Sequence, residues 1–406
     1  MRDSGMNQYL KATRVTDHVY WVGAIDWAIR DFHGYLTSRG TTYNAYLILA
    51  NKITLVDTVK RPFKDEMLSR IASVIDPGDI AYIISNHSEM DHSGCLPDVI
   101  QAVNPEKVFA STMGADALAE HFHLDQQIVA VKDGEKLSLG NLNLSFMETR
   151  MLHWPDSMFT YLAEDGVLFS QDAFSMHLAS TERFDDEIDD DILEDEAAKY
   201  FANILLPLSS PITRLLEKVG SLDLTKGIVA TDHGPIWRKD FSKILALYSR
   251  WAAQKRTKKA VVVYDTMWQS TAMMARAIGE GIRAGGADAS LMPLRASHRT
   301  DIATEMLDAG ALLVGSPTLN NNLFPTVADA LTYLKGLKPR NLIGAAFGSY
   351  GWSGEAVGQV EEVLRGMKVD LLGESIKVKY VPDDEALGRC YSLGMLVAER
   401  LKELCE

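Results

Sequence analysis

From residue 259 onward the chain keeps one rhythm, a short apolar run followed by a stretch with helical spacing, repeated to the end. The runs are VVVY, SLMPL, ALLVG, LIGAAFG and IKVKYV, and the first helix starts at about Ser270. Short apolar runs bounded by turn residues read as buried strands. Strands alternating with helices predict a doubly wound, five-stranded parallel sheet. Its strands are continuously apolar, as they must be when helices cover both faces.

The first part of the chain has a different rhythm. β-rich runs such as His18 to Gly23, Tyr43 to Leu49 and Ile53 to Val59 meet turn signals at Asp133-Gly134 and Asp165-Gly166, with helical stretches between them. That pattern predicts a mixed α/β sandwich. The change falls at WAAQKRTK, residues 251 to 258, which sets the expected domains at 1-252 and 258-406. No internal repeat or low-complexity tract interrupts either part.

Composition narrows the function classes. With 406 residues, 47% of them hydrophobic, the chain can build two ordinary cores without disulfide staples. Cys95, Cys390 and Cys405 form no C-x-x-C pair, which suits a reducing compartment and leaves no cysteine-held iron or zinc in this chain. The first fifteen residues lack the pattern of a secretory leader, and no apolar run reaches the ~18 residues of a membrane span. A cytoplasmic protein is expected. The net charge of -14 argues against nucleic acid or an anionic membrane as partner. The acidic run Glu182 to Glu196 lacks the spacing and glycine of a calcium loop and is expected to be a solvated face.

Candidate chemistry concentrates in SNHSEMDHSG. This segment starts at Ser85 after the apolar AYII and offers His87, Glu89, Asp91 and His92 from one loop. His153 in TRMLHWPDS, Asp172 after VLFSQ and His233 after GIVAT also follow β-like runs. Strand ends of packed sheets converge on one rim, so all seven are expected to meet at a metal site.

In the second part, three loops leave strand ends. Thr266, Met267, Trp268, Gln269, Ser270 and Thr271 lead into a helix, where a doubly wound fold binds phosphate. Ser316, Pro317, Thr318, Leu319, Asn320 and Asn321 follow ALLVG, and Ser349, Tyr350, Gly351, Trp352, Ser353 and Gly354 follow LIGAAFG. A flavin at the sheet's switch point would touch all three. No G-x-G-x-x-G is present, which favours FMN over FAD or a nicotinamide.

HSEMDH with His153, Asp172 and His233 resembles the metal pattern of the metallo-β-lactamase superfamily in its flavodiiron branch, and TMWQST resembles that branch's phosphate loop, although free flavodoxins have glycine at the position of Gln269. The resemblance implies an N-terminal metallo-β-lactamase-like αββα sandwich followed by a flavodoxin-like domain, with FMN and two non-haem irons as cofactors. His87, Glu89, His153 and Asp172 would hold one iron and Asp91, His92, Asp172 and His233 the other, with Asp172 bridging. Zinc hydrolases of the superfamily have histidine where this chain has Glu89, and a carboxylate there favours iron. His33 in RDFHGY and Tyr200 in AKYFANILLP also match the family, beside the open face of the metals. The implied activity is reduction of dioxygen to water, nitric oxide to nitrous oxide, or both. Electrons would come from an external donor, rubredoxin first and a deazaflavin coenzyme second. The implied assembly is a head-to-tail homodimer, alone or as a dimer of dimers. The competing readings are a zinc-dependent hydrolase fused to a flavodoxin-like module, a flavin carrier with a vestigial metal site, and a redox sensor.

Overall fold

The computed structural model describes residues 9–124, 126–220 and 227–405. The expectation of no leader falls partly on residues 1–8, outside the described residues. The chain divides into two compact units, Met1–Tyr200 with Ser210–Ser249, and Phe201–Ser209 with Arg250–Glu406. A single cut near 251 to 258 therefore misses one excursion. Asn203 donates to the Thr300 carbonyl (3.2 Å) and accepts from the Tyr333 hydroxyl (2.8 Å), and the Phe201 and Trp251 rings lie 5.3 Å apart.

The first unit stacks two sheets. One contains Thr13–Arg14 (β1), Val19–Trp21 (β2), Tyr46–Ile48 (β3), Thr54–Val56 (β4), Tyr82–Ser85 (β5), Lys107–Ser111 (β6) and Ile128–Val131 (β7), in that spatial order. β1 to β4 pair antiparallel, and β4 to β7 pair parallel. The other contains Lys136–Ser138 (β8), Asn143–Glu148 (β9), Met158–Leu162 (β10), Val167–Gln171 (β11) and Ile228–Thr231 (β12), parallel only between β11 and β12. Trp21, Tyr46, Ile84 and Phe109 of the first sheet pack with Phe146, Met158, Phe169 and Ala230 of the second, which makes the sandwich core.

Helices Lys64–Ala72 (α1), Leu96–Val103 (α2) and Thr112–Phe122 (α3) cover the first sheet's other face through Met67, Ile71, Leu96, Val99 and Leu118. In α2, Leu96, Val99 and Val103 share one buried stripe, and Asn104 in the left-handed region stops the helix. Leu168 and Val229 are buried on the second sheet's outer face. The layers are those of an αββα sandwich.

The second unit is a parallel sheet of Lys259–Tyr264 (β13), Asp288–Pro293 (β14), Ala311–Gly315 (β15) and Ile343–Tyr350 (β16), ordered β14-β13-β15-β16. The fifth position is split between Asp370–Leu371 and Ile376–Lys379, both parallel to β16, where one strand was expected. Val262, Leu313 and Ala345 face a core with Ser270–Ala284 (α4) and Asp384–Cys405 (α5), while Val261, Leu312 and Val314 are buried on the opposite face. Both faces are covered, which explains the unbroken apolar runs.

The acidic run is not uniformly solvated. Asp185 is buried and accepts the backbone N–H groups of Arg238 (2.9 Å), Lys239 (3.2 Å) and Asp240 (3.1 Å) ahead of the helix Phe241–Ala253. Glu196 is buried against Lys199 (2.9 Å) and Arg39 (3.3 Å). Burial is tolerated because both carboxylates are paired. Among the described residues no helix is long and apolar enough to cross a membrane.

Candidate metal centre and ring cavity

The loop after β5 is held from three sides. Asp57, at φ 56°, accepts the Asn86 backbone N–H (2.7 Å) and side-chain amide (2.8 Å), and the Thr160 hydroxyl donates to Asn86 Oδ1 (2.7 Å). The Ser93 hydroxyl donates to the Ser88 carbonyl (2.7 Å), closing the one-turn helix Met90–Ser93 that puts Asp91 and His92 inside. Asp172 follows a register shift between Phe169 and Gln171, where Gln171 takes φ 43° and its Oε1 accepts the Asp172 N–H (2.6 Å). Such bulges redirect the next side chain.

The seven expected residues converge as two groups. In the first, His87, Glu89, His153 and Asp172 place one ligand atom each within 4.8 Å of one another, and Asp91, His92 and His233 form the second by the same measure. Asp172 joins them. Its Oδ2 lies 3.0 Å from His153 Nε2 and 3.3 Å from His87 Nε2, while its Oδ1 lies 3.3 Å from His92 Nε2 and 3.4 Å from His233 Nε2. Glu89 Oε2 sits 3.3 Å from His87 Nε2 and 3.1 Å from His153 Nε2.

The opposite ring nitrogens are also assigned. His87 Nδ1 meets Asp156 Oδ2 (3.1 Å), which also accepts the Ser88 N–H (2.6 Å). His233 Nδ1 donates to the Thr42 carbonyl (2.6 Å), and His92 Nδ1 lies 3.4 Å from Asp232 Oδ2. These contacts leave Nε2 of His87 and His233 facing the cluster.

Burial would lower the His87 pKa, but Asp156, Glu89 and Asp172 together raise it to about 10. His92 is raised well above the usual imidazole value, against its own burial, by Asp91, Asp172 and Asp232. Asp172 is held well below the carboxylate range despite burial, by His92 and His153. Protons and carboxylates thus balance one another where a cation could. Asp91 Oδ1, His92 Nε2 and Asp172 Oδ1 are buried without hydrogen-bond partners. A nitrogen and carboxylate donor set with no thiolate suits a first-row divalent metal, and the residues fit a metal pair.

His33 sits at φ 55° in the turn joining Asp31–Phe32 to Tyr35–Leu36, with its side chain 78% exposed and Nε2 3.8 Å from Glu89 Oε1. Tyr200 ends the helix Asp190–Tyr200, fully inside, its ring 5.1 Å from that of His177 and 6.2 Å from that of His233.

In the second unit a cavity of about 640 Å³ is lined by all three expected loops, through Met267, Trp268, Ser270, Pro317, Thr318, Leu319, Asn320, Asn321, Ser349, Tyr350, Gly351, Trp352 and Ser353. Thr266, Gln269, Thr271, Ser316 and Gly354 are not in its wall. Ser316 instead braces its own loop, accepting the Phe324 N–H (2.9 Å), and the Thr271 and Ser349 hydroxyls meet at 3.2 Å. Thr266 Oγ1 is buried without a partner beside the N-terminus of α4, as a loop awaiting phosphate would leave it. Gln269 takes φ 70°, a left-handed geometry that glycine adopts without strain. Volume, loops and orphan hydroxyl fit FMN.

Several neighbours of the two sites lie outside the residues that the sequence marks. Tyr380 and Val381 complete the cavity; the apolar run IKVKYV places them in a strand, but the strand stops at Lys379. Asp156 and Asp232 carried a signal, since each stands close in sequence to an expected ligand. His177, wholly buried with its ring 4.6 Å from that of His233, carried none.

Family models match twice, ODP family beta lactamase over residues 41–234 and flavodoxin over 262–394. The chain is 46% identical to the nitric oxide reductase of Moorella thermoacetica, across 96% of this chain and 98% of that one. It superposes on the rubredoxin oxygen:oxidoreductase from Desulfovibrio gigas with a TM-score of 0.95 and 45% identity, over 97% and 99% of the two chains. On the flavodiiron protein from Giardia intestinalis the TM-score is 0.94 at 36% identity, over 98% of each chain. Likeness at this identity extends through both units without a break, and the chain belongs to the flavodiiron protein family.

Proposed function

We propose that this chain reduces dioxygen to water, nitric oxide to nitrous oxide, or both, at a pair of non-haem irons supplied with electrons through FMN. The observation that carries the reading is Asp172, whose two oxygens face two separate histidine and carboxylate groups. One iron would be held by His87, Glu89, His153 and Asp172, and the other by Asp91, His92, Asp172 and His233. FMN would occupy the cavity of the second unit, and residues 1-252 and 258-406 would act as the two functional domains. The names of the similar proteins, nitric oxide reductase and rubredoxin-oxygen oxidoreductase, support both substrates and an external donor such as rubredoxin.

When bound, the irons and FMN supply the redox chemistry; the chain's residues supply position and protons. Asp156 and the Thr42 carbonyl fix His87 and His233 in the tautomer that leaves Nε2 for metal. Burial and Asp172 raise the Tyr200 pKa well above the phenol range, so this hydroxyl keeps its proton beside the cluster. His33 is exposed enough to exchange protons with solvent and, at 3.8 Å, reaches Glu89 through small motions or one water. His33 is assigned to proton delivery, and Tyr200 to a hydroxyl that stays protonated and can donate a hydrogen bond beside the cluster.

A head-to-tail dimer in the cytoplasm completes the reading, with the cavity of one protomer serving the metal centre of its partner. A monomer turning over at full rate would contradict that arrangement. The direct test is stoichiometry. Elemental analysis and flavin release should give iron at two per chain with one FMN, in about that ratio. Zinc at the same ligands, with hydrolysis and no gas consumption, would favour the hydrolase instead.

A further inference from the structure

The wall of the FMN cavity formed by Leu319, Asn320 and Asn321 belongs to a very small hairpin, Thr318–Leu319 paired with Asn322–Leu323. Its turn residues Asn320 and Asn321 take φ 51° and 61°. Two consecutive left-handed residues match the hairpin turn type that Asn-Gly serves best; asparagine tolerates that geometry, but the second position lacks the glycine that would relax it. A hairpin this short is marginal alone. Something must hold it.

The holder is the helix Glu355–Gly366, which begins directly after the opposite wall, Tyr350 to Ser353. Gln359 Oε1 accepts the Leu323 N–H (2.8 Å), and its Nε2 donates to the Asn321 carbonyl (3.2 Å) and to Asn322 Oδ1 (3.3 Å). One turn earlier, Glu355 Oε1 accepts from Asn321 Nδ2 (3.0 Å). Gln359 does not line the cavity. It grips both sides of the turn that does.

We propose that Gln359, assisted by Glu355, is a positioning residue for the flavin, a clasp that keeps the Asn320-Asn321 turn in the geometry that completes the ring site. The proposal rests on the FMN reading above. Without the clasp the hairpin spends time in other shapes, and the apparent affinity for FMN falls by the fraction of molecules still competent. The fold itself has no such dependence, because the sheet and helix cores lie elsewhere.

The test uses the full chain freed of FMN and titrated with FMN itself, following flavin fluorescence, for the unsubstituted protein, Gln359→Ala and Gln359→Glu. Gln359→Ala should weaken FMN about tenfold, the equivalent of ~1.4 kcal/mol, with the unfolding midpoint of the FMN-free protein unchanged. Gln359→Glu keeps the volume and the acceptor for Leu323 but turns both donations into oxygen–oxygen contacts. It should weaken FMN as well, which loss of packing alone would not produce. Should Gln359→Ala also lower the unfolding midpoint, Gln359→Glu decides. Variants that bind FMN within about twofold of the unsubstituted protein would overturn the clasp alone. An unsubstituted protein that binds no FMN would overturn the flavin reading and the clasp with it.

Discussion

Stripping the metal should turn the stability of the first unit into a falling function of pH. Without metal, hydrogen bonds to Asp156 and Glu89 and the charge of Asp172 outweigh burial and hold His87 at about 10, and His92 and His153 shift the same way. An unfolded histidine titrates near 6.5. A group raised on folding contributes stability that is complete below its unfolded pKa and lost as pH climbs through the folded one. The window for His87 is therefore about 6.5 to about 10. At ~1.36 kcal/mol per pH unit its full contribution is about 4 to 5 kcal/mol, and roughly 2.5 kcal/mol of that should vanish between about pH 7 and about pH 9. Asp57, raised to about 6 by burial, is ionised across this range and does not mask the effect. Metal-bound imidazole is already neutral, so the loaded protein should lack the slope. Urea unfolding followed by tryptophan fluorescence, on chelated and reloaded protein at both pH values, measures it. A flat profile in the chelated protein, or equal slopes in both, would show that His87 carries no such stability.

Other substitutions probe separate parts of the account. Glu89→His removes the carboxylate lying within 3.3 Å of His87 and 3.1 Å of His153, and should shift the purified protein from iron toward zinc while leaving FMN content unchanged, as elemental analysis would show. Asp156→Asn takes away the charged partner of His87 Nδ1 and should weaken metal binding about 10- to 100-fold in chelator competition, with secondary structure intact by circular dichroism. Gln269→Gly relieves a residue at φ 70° and should raise the stability of the FMN-free second unit by about 0.5–1 kcal/mol in urea; a loss would show that the Gln269 side chain is needed.

Legibility in the sequence followed locality. Four of the seven converging residues lie in one loop after a wholly buried strand, and the other three follow apolar runs, so the convergence could be read from strand ends alone. The parallel sheet was equally plain because burial on both faces leaves no polar alternation to confuse strand with loop. What escaped depends on contacts between distant segments. His177 meets the Thr41 hydroxyl (2.8 Å) across more than a hundred residues, and nothing beside it in sequence marks that. The acidic run misled because Asp185 and Glu196 find partners at Arg238 to Asp240 and at Arg39, which composition cannot show. The excursion of Phe201–Ser209 into the second unit was hidden similarly, as its hydrogen bonds run to Thr300 and Tyr333.

Electrons accepted at FMN would leave on dioxygen or nitric oxide at the metals that Asp172 and its neighbours would hold. A gas electrode follows this transfer when anaerobically FMN-reduced, iron-loaded protein is mixed with dioxygen and with nitric oxide in separate runs, beside Glu89→His. At least one gas should be consumed rapidly, and that consumption should be lost in Glu89→His while its FMN still reduces. Consumption that survives the substitution, or none of either gas by the iron-loaded protein, would contradict this transfer.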